Sequence, residues 1–179
     1  MKYDTAPTLF PSWATSAADL INVAAGRAPA DTVIRGGIWV NVHTREVLPE
    51  YSIAIKHGRI ACVVPDASYC TGPKTEIIEA NERYMIPGLC DGHMHIESGM
   101  LTPAEFSAAV IPHGTTTMFT DPHEIANVLG LEGVRFMHDE ALMQPVNIWT
   151  QMPSCAPSAP GMETTGYEIS AEDVAEAMT

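Results

Sequence analysis

"IPGLCDGHMHIESG", residues 86–99, is the stretch that decides how the chain is read. An apolar approach turns at Pro87-Gly88 and enters a short strand that carries His93 and His95. Strand side chains alternate faces, so both imidazoles point the same way, about 7 Å apart by strand rise. Two neutral imidazoles on one face converge on one metal ion when the strand bends at its end. Glu97 repeats the step, and Asp91 stands before the pair as a carboxylate that could orient a ligand. A bare H-x-H is equally well satisfied by hydrogen bonds at a strand end. The Pro-Gly lead-in and Asp91 tip the reading toward metal ligation by His93 and His95.

Downstream the rhythm is strand, helix, strand. In "TPAEFSAAVIP", Thr102 is the expected N-cap, with Pro103 at the first helical position and Glu105 closing a capping box. "GTTTMFTD" is a β-branched strand. "LEGVRFMHDEALM" reads as a helix with Val134, Met137, His138 and Ala141 on one face and an Arg135–Asp139 pair. "PVNIWTQMPSC" is a third strand, and "ISAEDVAEAM" opens a helix capped by Ser170 with Asp173 three residues on. Strand starts near residues 89, 115 and 146 match the βαβ unit of about 30 residues. A parallel sheet with covered faces follows, in either an open doubly wound sheet or a closed (β/α) barrel.

The second strand ends in Asp121-Pro122-His123-Glu124. Proline cannot donate to a ladder, so the strand stops there. Three ionisable groups then stand at a carboxyl end, where both architectures place their chemistry. The competing reading is a helix N-terminus that carries acids for dipole reasons alone. His113 and His138 are expected to be structural, His43 and His57 to be loop and turn residues, and the methionines to be core filler.

Upstream the texture is β-rich. "TVIRGGIWVNV" alternates at Ile38, Val40 and Val42, "YSIAIKHGRIACVV" reads as two strands turning at His57-Gly58, and "KTEIIEANERYMIPG" supplies a further strand or two. The expected organisation is a helical arm over residues 1–30, part of a small β-sandwich domain over 31–85, and the start of a barrel over 86–179. A barrel takes about 250 residues, and 94 follow residue 85. About three of eight βα units are therefore expected, at the front of a longer protein.

The totals exclude other classes. Net charge is -13, with 22 acids against 9 basic residues, which argues against a phosphate-backbone partner. No basic amphipathic stretch and no apolar run near 20 residues suggests a membrane. Cys62, Cys70, Cys90 and Cys155 form no C-x-x-C pair, and read as reduced, mostly buried thiols of a cytoplasmic protein.

"PGLCDGHMH" resembles the P-G-x-x-D-x-H-x-H opening of the amidohydrolase superfamily. The blocks "HIES", "PHGTTT", "DPHEIANV" and "PSC" resemble the bacterial adenine deaminase family within it, with Gly99 where a second serine is expected. The resemblance runs from about Asp31 to the end. It implies a (β/α)₈ barrel with a small β-sandwich, and hydrolytic deamination of adenine to hypoxanthine and ammonia. It also implies a binuclear divalent-metal centre, Mn²⁺ first with Fe²⁺ or Zn²⁺ as alternatives, and a homo-oligomer in the full-length form. His93 and His95 become ligands of one metal; the remaining ligands belong to later strands. By position, His123 and Glu124 are the expected catalytic groups, and Glu97, Ser98 and Asp121 the expected substrate contacts. Cytidine-deaminase-like enzymes also use H-x-E, but the following P-C-x-x-C is absent after His95-Ile96-Glu97. The alternatives are another amidohydrolase, acting on a cyclic amide or an acetyl group, and a catalytically incomplete chain.

Overall fold

The computed structural model describes residues 12–178. The chain divides between Pro87 and Gly88 into two compact units; of the expected helical arm, residues 1–11 lie outside the described residues.

In the first unit, helix α1 (Trp13–Ala24) begins at Ser12, whose side chain accepts the Thr15 amide. It is followed by strands β1 (Thr32–Asn41), β2 (Glu46–Lys56), β3 (Arg59–Val64), β4 (Glu76–Glu79) and β5 (Tyr84–Met85). Their sheet runs β3-β2-β1-β4, with β5 also on β1. The β1–β2 and β2–β3 pairs are antiparallel, whereas β4 and β5 run parallel to β1. Val23 of α1 is buried with Ala30, Val33, Ala54, Ala67 and Cys70, so apolar contact seats the helix on the sheet.

The β2–β3 turn falls at His57-Gly58, as the sequence predicts. Both residues have positive φ, 51° and 69°, which suits the right-handed twist of a two-residue hairpin. Asp31 secures it by accepting from Lys56 Nζ at 2.6 Å and His57 N at 2.9 Å. The expected alternation at Ile38, Val40 and Val42 is corrected. Register shifts around Gly37 break the period, Val33 is the buried anchor of β1, and Val42 is exposed just past the strand.

The second unit holds β6 (Leu89–Met94), α2 (Pro103–Val110), β7 (Thr115–Thr120), α3 (His123–Leu129), α4 (Leu131–Ala141), β8 (Asn147–Thr150) and α5 (Ala171–Ala177). The three strands form a parallel sheet in the order β6-β7-β8. Helices return the chain between them, as parallel strands require. Met118 and Ile148 face a core shared with Ile96, Met137, Ala141 and Val146, against which Phe106, Val110 and Ile125 pack. One residue on, Phe119 and Trp149 stack on neighbouring strands, ring centroids 6.5 Å apart.

Gly88 admits the close approach of β6 to β7. A Cβ there would lie 1.8 Å from Thr116 Oγ1 and 2.7 Å from Thr116 Cβ, closer than atoms can pack.

Three local expectations change. Thr102 and Pro103 do begin α2, but no capping box forms: the Thr102 hydroxyl donates to Glu140 Oε1 of α4 at 2.7 Å. Glu140 also accepts the Ala104 amide at 3.3 Å, so a carboxylate brought by tertiary packing takes over the cap. Arg135 pairs with Glu132 at 2.5 Å and with Glu176 of α5, not with Asp139. Cys70 is buried and Cys62 half-buried, but Cys90 and Cys155 are exposed. Cys90 sits on β6, which pairs on one side only among the described residues. The Ser170–Asp173 capping box on α5 forms as expected.

Candidate metal centre

Parallel pairing sets the carboxyl ends of β6 and β7 side by side. The Asp121 amide donates to the Met94 carbonyl at 2.9 Å, which ties the two ends together. Beyond β6, His95 and Ile96 lead into a single 3-10 turn, Glu97–Gly99. Ile96 is fully buried in the sheet–helix core and so anchors the turn. Beyond β7, Pro122 ends the ladder and α3 starts directly at His123.

These ends bring together the residues singled out in the sequence. His93 Nε2 and His95 Nε2 lie 3.2 Å apart, with ring centroids at 5.1 Å and ring planes at 75°. Ligand atoms of His93, His95 and Asp121 all lie within 4.8 Å of one another. The far nitrogen of His95, Nδ1, is 3.0 Å from Glu124 Oε2. Ser98 Oγ donates to Glu124 Oε1. The His123 ring stands 6.2 Å from that of His95, centroid to centroid. Asp91 accepts the His93 backbone amide at 3.2 Å, so it braces the strand rather than the ring.

The two glutamates are pushed in opposite directions. Burial lifts Glu97 above the ordinary carboxylate range, its own amide and that of Ile125 oppose the lift, and the charge of Glu124 adds to it. Burial also pushes Glu124 up, but hydrogen bonds from Ser98, its own amide and His95 outweigh it and leave Glu124 below the ordinary value. Glu97 Oε1 accepts the Ile125 amide at 3.3 Å, so it braces the start of α3.

The donors fit a divalent cation. With metal–nitrogen bonds of about 2.0–2.1 Å, nitrogens 3.2 Å apart subtend roughly 100° at a shared ion, between octahedral and tetrahedral angles. Asp121 Oδ1 and Glu97 Oε2 are buried without a hydrogen-bond partner. Such an oxygen costs on the order of 1–3 kcal/mol when left alone, a cost that a cation offsets. Two imidazoles and a carboxylate suit zinc, iron or manganese.

All seven expected site residues fall at these two strand ends. The sequence grouped Asp121 with substrate contacts; the structure sets its carboxylate beside the histidine nitrogens. The available signal was its place at the end of the strand parallel to the H-x-H strand. The contact of Ser98 with Glu124 had no signal, since 26 residues separate the two.

A family model described as "Amidohydrolase family" matches residues 84–179. The chain is 82% identical over 173 residues to an adenine deaminase of Ruegeria pomeroyi, covering 97% of this chain and 29% of that protein. It is 83% identical over 170 residues to an adenine deaminase of Ruegeria sp. strain TM1040, covering 95% of this chain and 28% of that protein. The chain thus spans under a third of the length of these curated relatives. Among solved structures, atrazine chlorohydrolase of Arthrobacter aurescens TC1, complexed with zinc, aligns with a TM-score of 0.62 at 15% identity. That alignment covers 82% of this chain and 41% of the other, and it shows a shared fold. The parallel sheet of β6, β7 and β8 is a partial barrel of this kind.

Proposed function

The chain belongs to the amidohydrolase family, and on that premise we propose that it is the N-terminal portion of an enzyme that hydrolyses adenine to hypoxanthine and ammonia. The observation that carries this reading is the convergence of His93, His95 and Asp121 in a chain more than 80% identical to two adenine deaminases.

His93 and His95 hold one divalent ion through Nε2, with Asp121 as a further donor. The centre is binuclear, with manganese the first choice and iron or zinc the alternatives; its other donors come from strands that follow this sequence in the whole protein. When bound, such an ion supplies Lewis acidity that brings water within reach of ionisation at neutral pH.

The net change at the substrate is one C–O bond formed at C6 and one C–N bond broken, with a proton delivered to the departing nitrogen. His123 flanks the site as an acid–base group, Glu124 stands beside it against His95, and Glu97 and Ser98 stand where the purine edge would lie. Of the two glutamates, Glu97 is the one whose surroundings favour carrying a proton. The whole enzyme is a cytoplasmic homo-oligomer of purine salvage that handles a small molecule, with neither nucleic acid nor membrane as partner. Among the described residues no helix is long and apolar enough to cross a membrane.

The test is ammonia and hypoxanthine release by the full-length protein, supplied with Mn²⁺, across adenine, pyrimidines and cyclic amides. Adenine turnover that disappears in His93→Ala together with bound metal supports the reading. Hydrolysis of a cyclic amide instead of adenine moves the assignment elsewhere in the family. The 179-residue chain assayed alone is expected to be inactive.

A further inference from the structure

The two ring nitrogens of His95 meet different neighbours. Nδ1 lies 3.0 Å from Glu124 Oε2, and Nε2 lies 3.2 Å from His93 Nε2. A carboxylate only accepts, so the hydrogen in the first contact belongs to Nδ1. A neutral imidazole carries one N–H. Nε2 therefore keeps its lone pair and presents it toward His93.

Glu124 is itself held in place. Ser98 Oγ donates to its other oxygen, Oε1, and its backbone is the second residue of α3. Ser98 lies in the turn that follows His95. Ring, carboxylate and hydroxyl thus close a circuit between the ends of β6 and β7. The circuit engages both carboxylate oxygens, one with the ring and one with the hydroxyl.

We infer that Glu124, braced by Ser98, is a positioning residue that sets the tautomer and ring angle of His95 so that Nε2 is offered to a divalent cation. The inference rests on reading His93 and His95 as metal ligands, and it places Glu124 outside the proton-transfer steps. Ligating histidines commonly pass their second N–H to a carboxylate, and loss of that partner typically weakens metal binding about 10–100-fold. Without Glu124 the ring can place its hydrogen on Nε2, where it blocks the cation.

Two measurements test this. The first is the tautomer of His95 in the metal-free wild-type chain, read from nitrogen chemical shifts of ¹⁵N-labelled histidine. The expected state is Nδ1–H; an Nε2–H ring overturns the inference without any variant. The second is Zn²⁺ affinity, measured by competition with a chromophoric chelator, with circular dichroism to check folding. Glu124→Ala, which removes the acceptor, is expected to weaken zinc by about 10–100-fold and Ser98→Ala by a smaller factor, while Glu124→Gln, which keeps an acceptor oxygen, is expected to lose less than Glu124→Ala. The double variant Glu124→Ala, Ser98→Ala is expected to match Glu124→Ala alone, because the serine acts through the carboxylate. Unchanged affinity in Glu124→Ala, while His95→Ala loses zinc, refutes the positioning role and leaves the metal site standing. Wild-type affinity in both His93→Ala and His95→Ala, or no zinc uptake by the full-length wild type, removes the metal reading and the positioning role with it.

Discussion

At the scale of single residues, Asp121 carries a buried, unpartnered Oδ1 on a carboxylate set beside the histidine pair. Asp121→Asn removes the charge and should weaken cation binding by about tenfold or more. Thermal unfolding should then show a smaller rise in midpoint on adding Mn²⁺ than in wild type, with the chelator-treated proteins as reference. Asp31 supplies a pH test in the other unit. Burial alone would raise its pKa, but the Lys56 ammonium and the His57 amide outweigh burial and hold it below the ordinary value. A lowered folded pKa means stability that is present above the unfolded value, about 3.9, and lost as pH falls through the folded value. The carboxylate is largely exposed, so its contribution is modest, at most about 1 kcal/mol. Urea unfolding should show Asp31→Asn less stable than wild type at pH 7, with the gap closing below about pH 4.

At the scale of elements, β6 and β7 carry the site, and their contact depends on Gly88. Gly88→Ala would drive a methyl into Thr116. It should cost about 1–3 kcal/mol and loosen the β6–β7 ladder, seen as faster amide exchange at Thr117 and Asp121. Met118→Ala removes a fully buried side chain of β7 and should cost about 2–5 kcal/mol. A cost under 1 kcal/mol would deny that the sheet–helix core holds the site. The elements are also where the sequence was most legible. The parallel rhythm was readable because period, β-branching and Pro-Gly turns are local signals. The His57-Gly58 turn and the Ser170 cap were readable for the same reason. The Thr102 cap was not, because Glu140 arrives from 38 residues away and competes for the hydroxyl. Nor was the face of β1, because a bulge at Gly37 resets its alternation. At the site, strand alternation gave His93 and His95 a common face. The links from Asp121 to that pair, and from Ser98 to Glu124, depend on which strand neighbours which, and local pattern does not carry that.

At the scale of the whole molecule, the described residues hold a complete H-x-H strand end and a three-stranded arc of parallel sheet, in a chain that spans under a third of its curated relatives. On the proposed reading, cation capture belongs to this chain and turnover to the longer protein. His93 and His95 then grip one divalent ion through Nε2, with Asp121 beside them. Anomalous diffraction at the zinc edge, from crystals of the chain grown with Zn²⁺, tests this most directly. A peak is expected between the two Nε2 atoms, about 2.0–2.1 Å from each. The two rings hydrogen-bonded to each other, with the zinc peak elsewhere or absent, would contradict it.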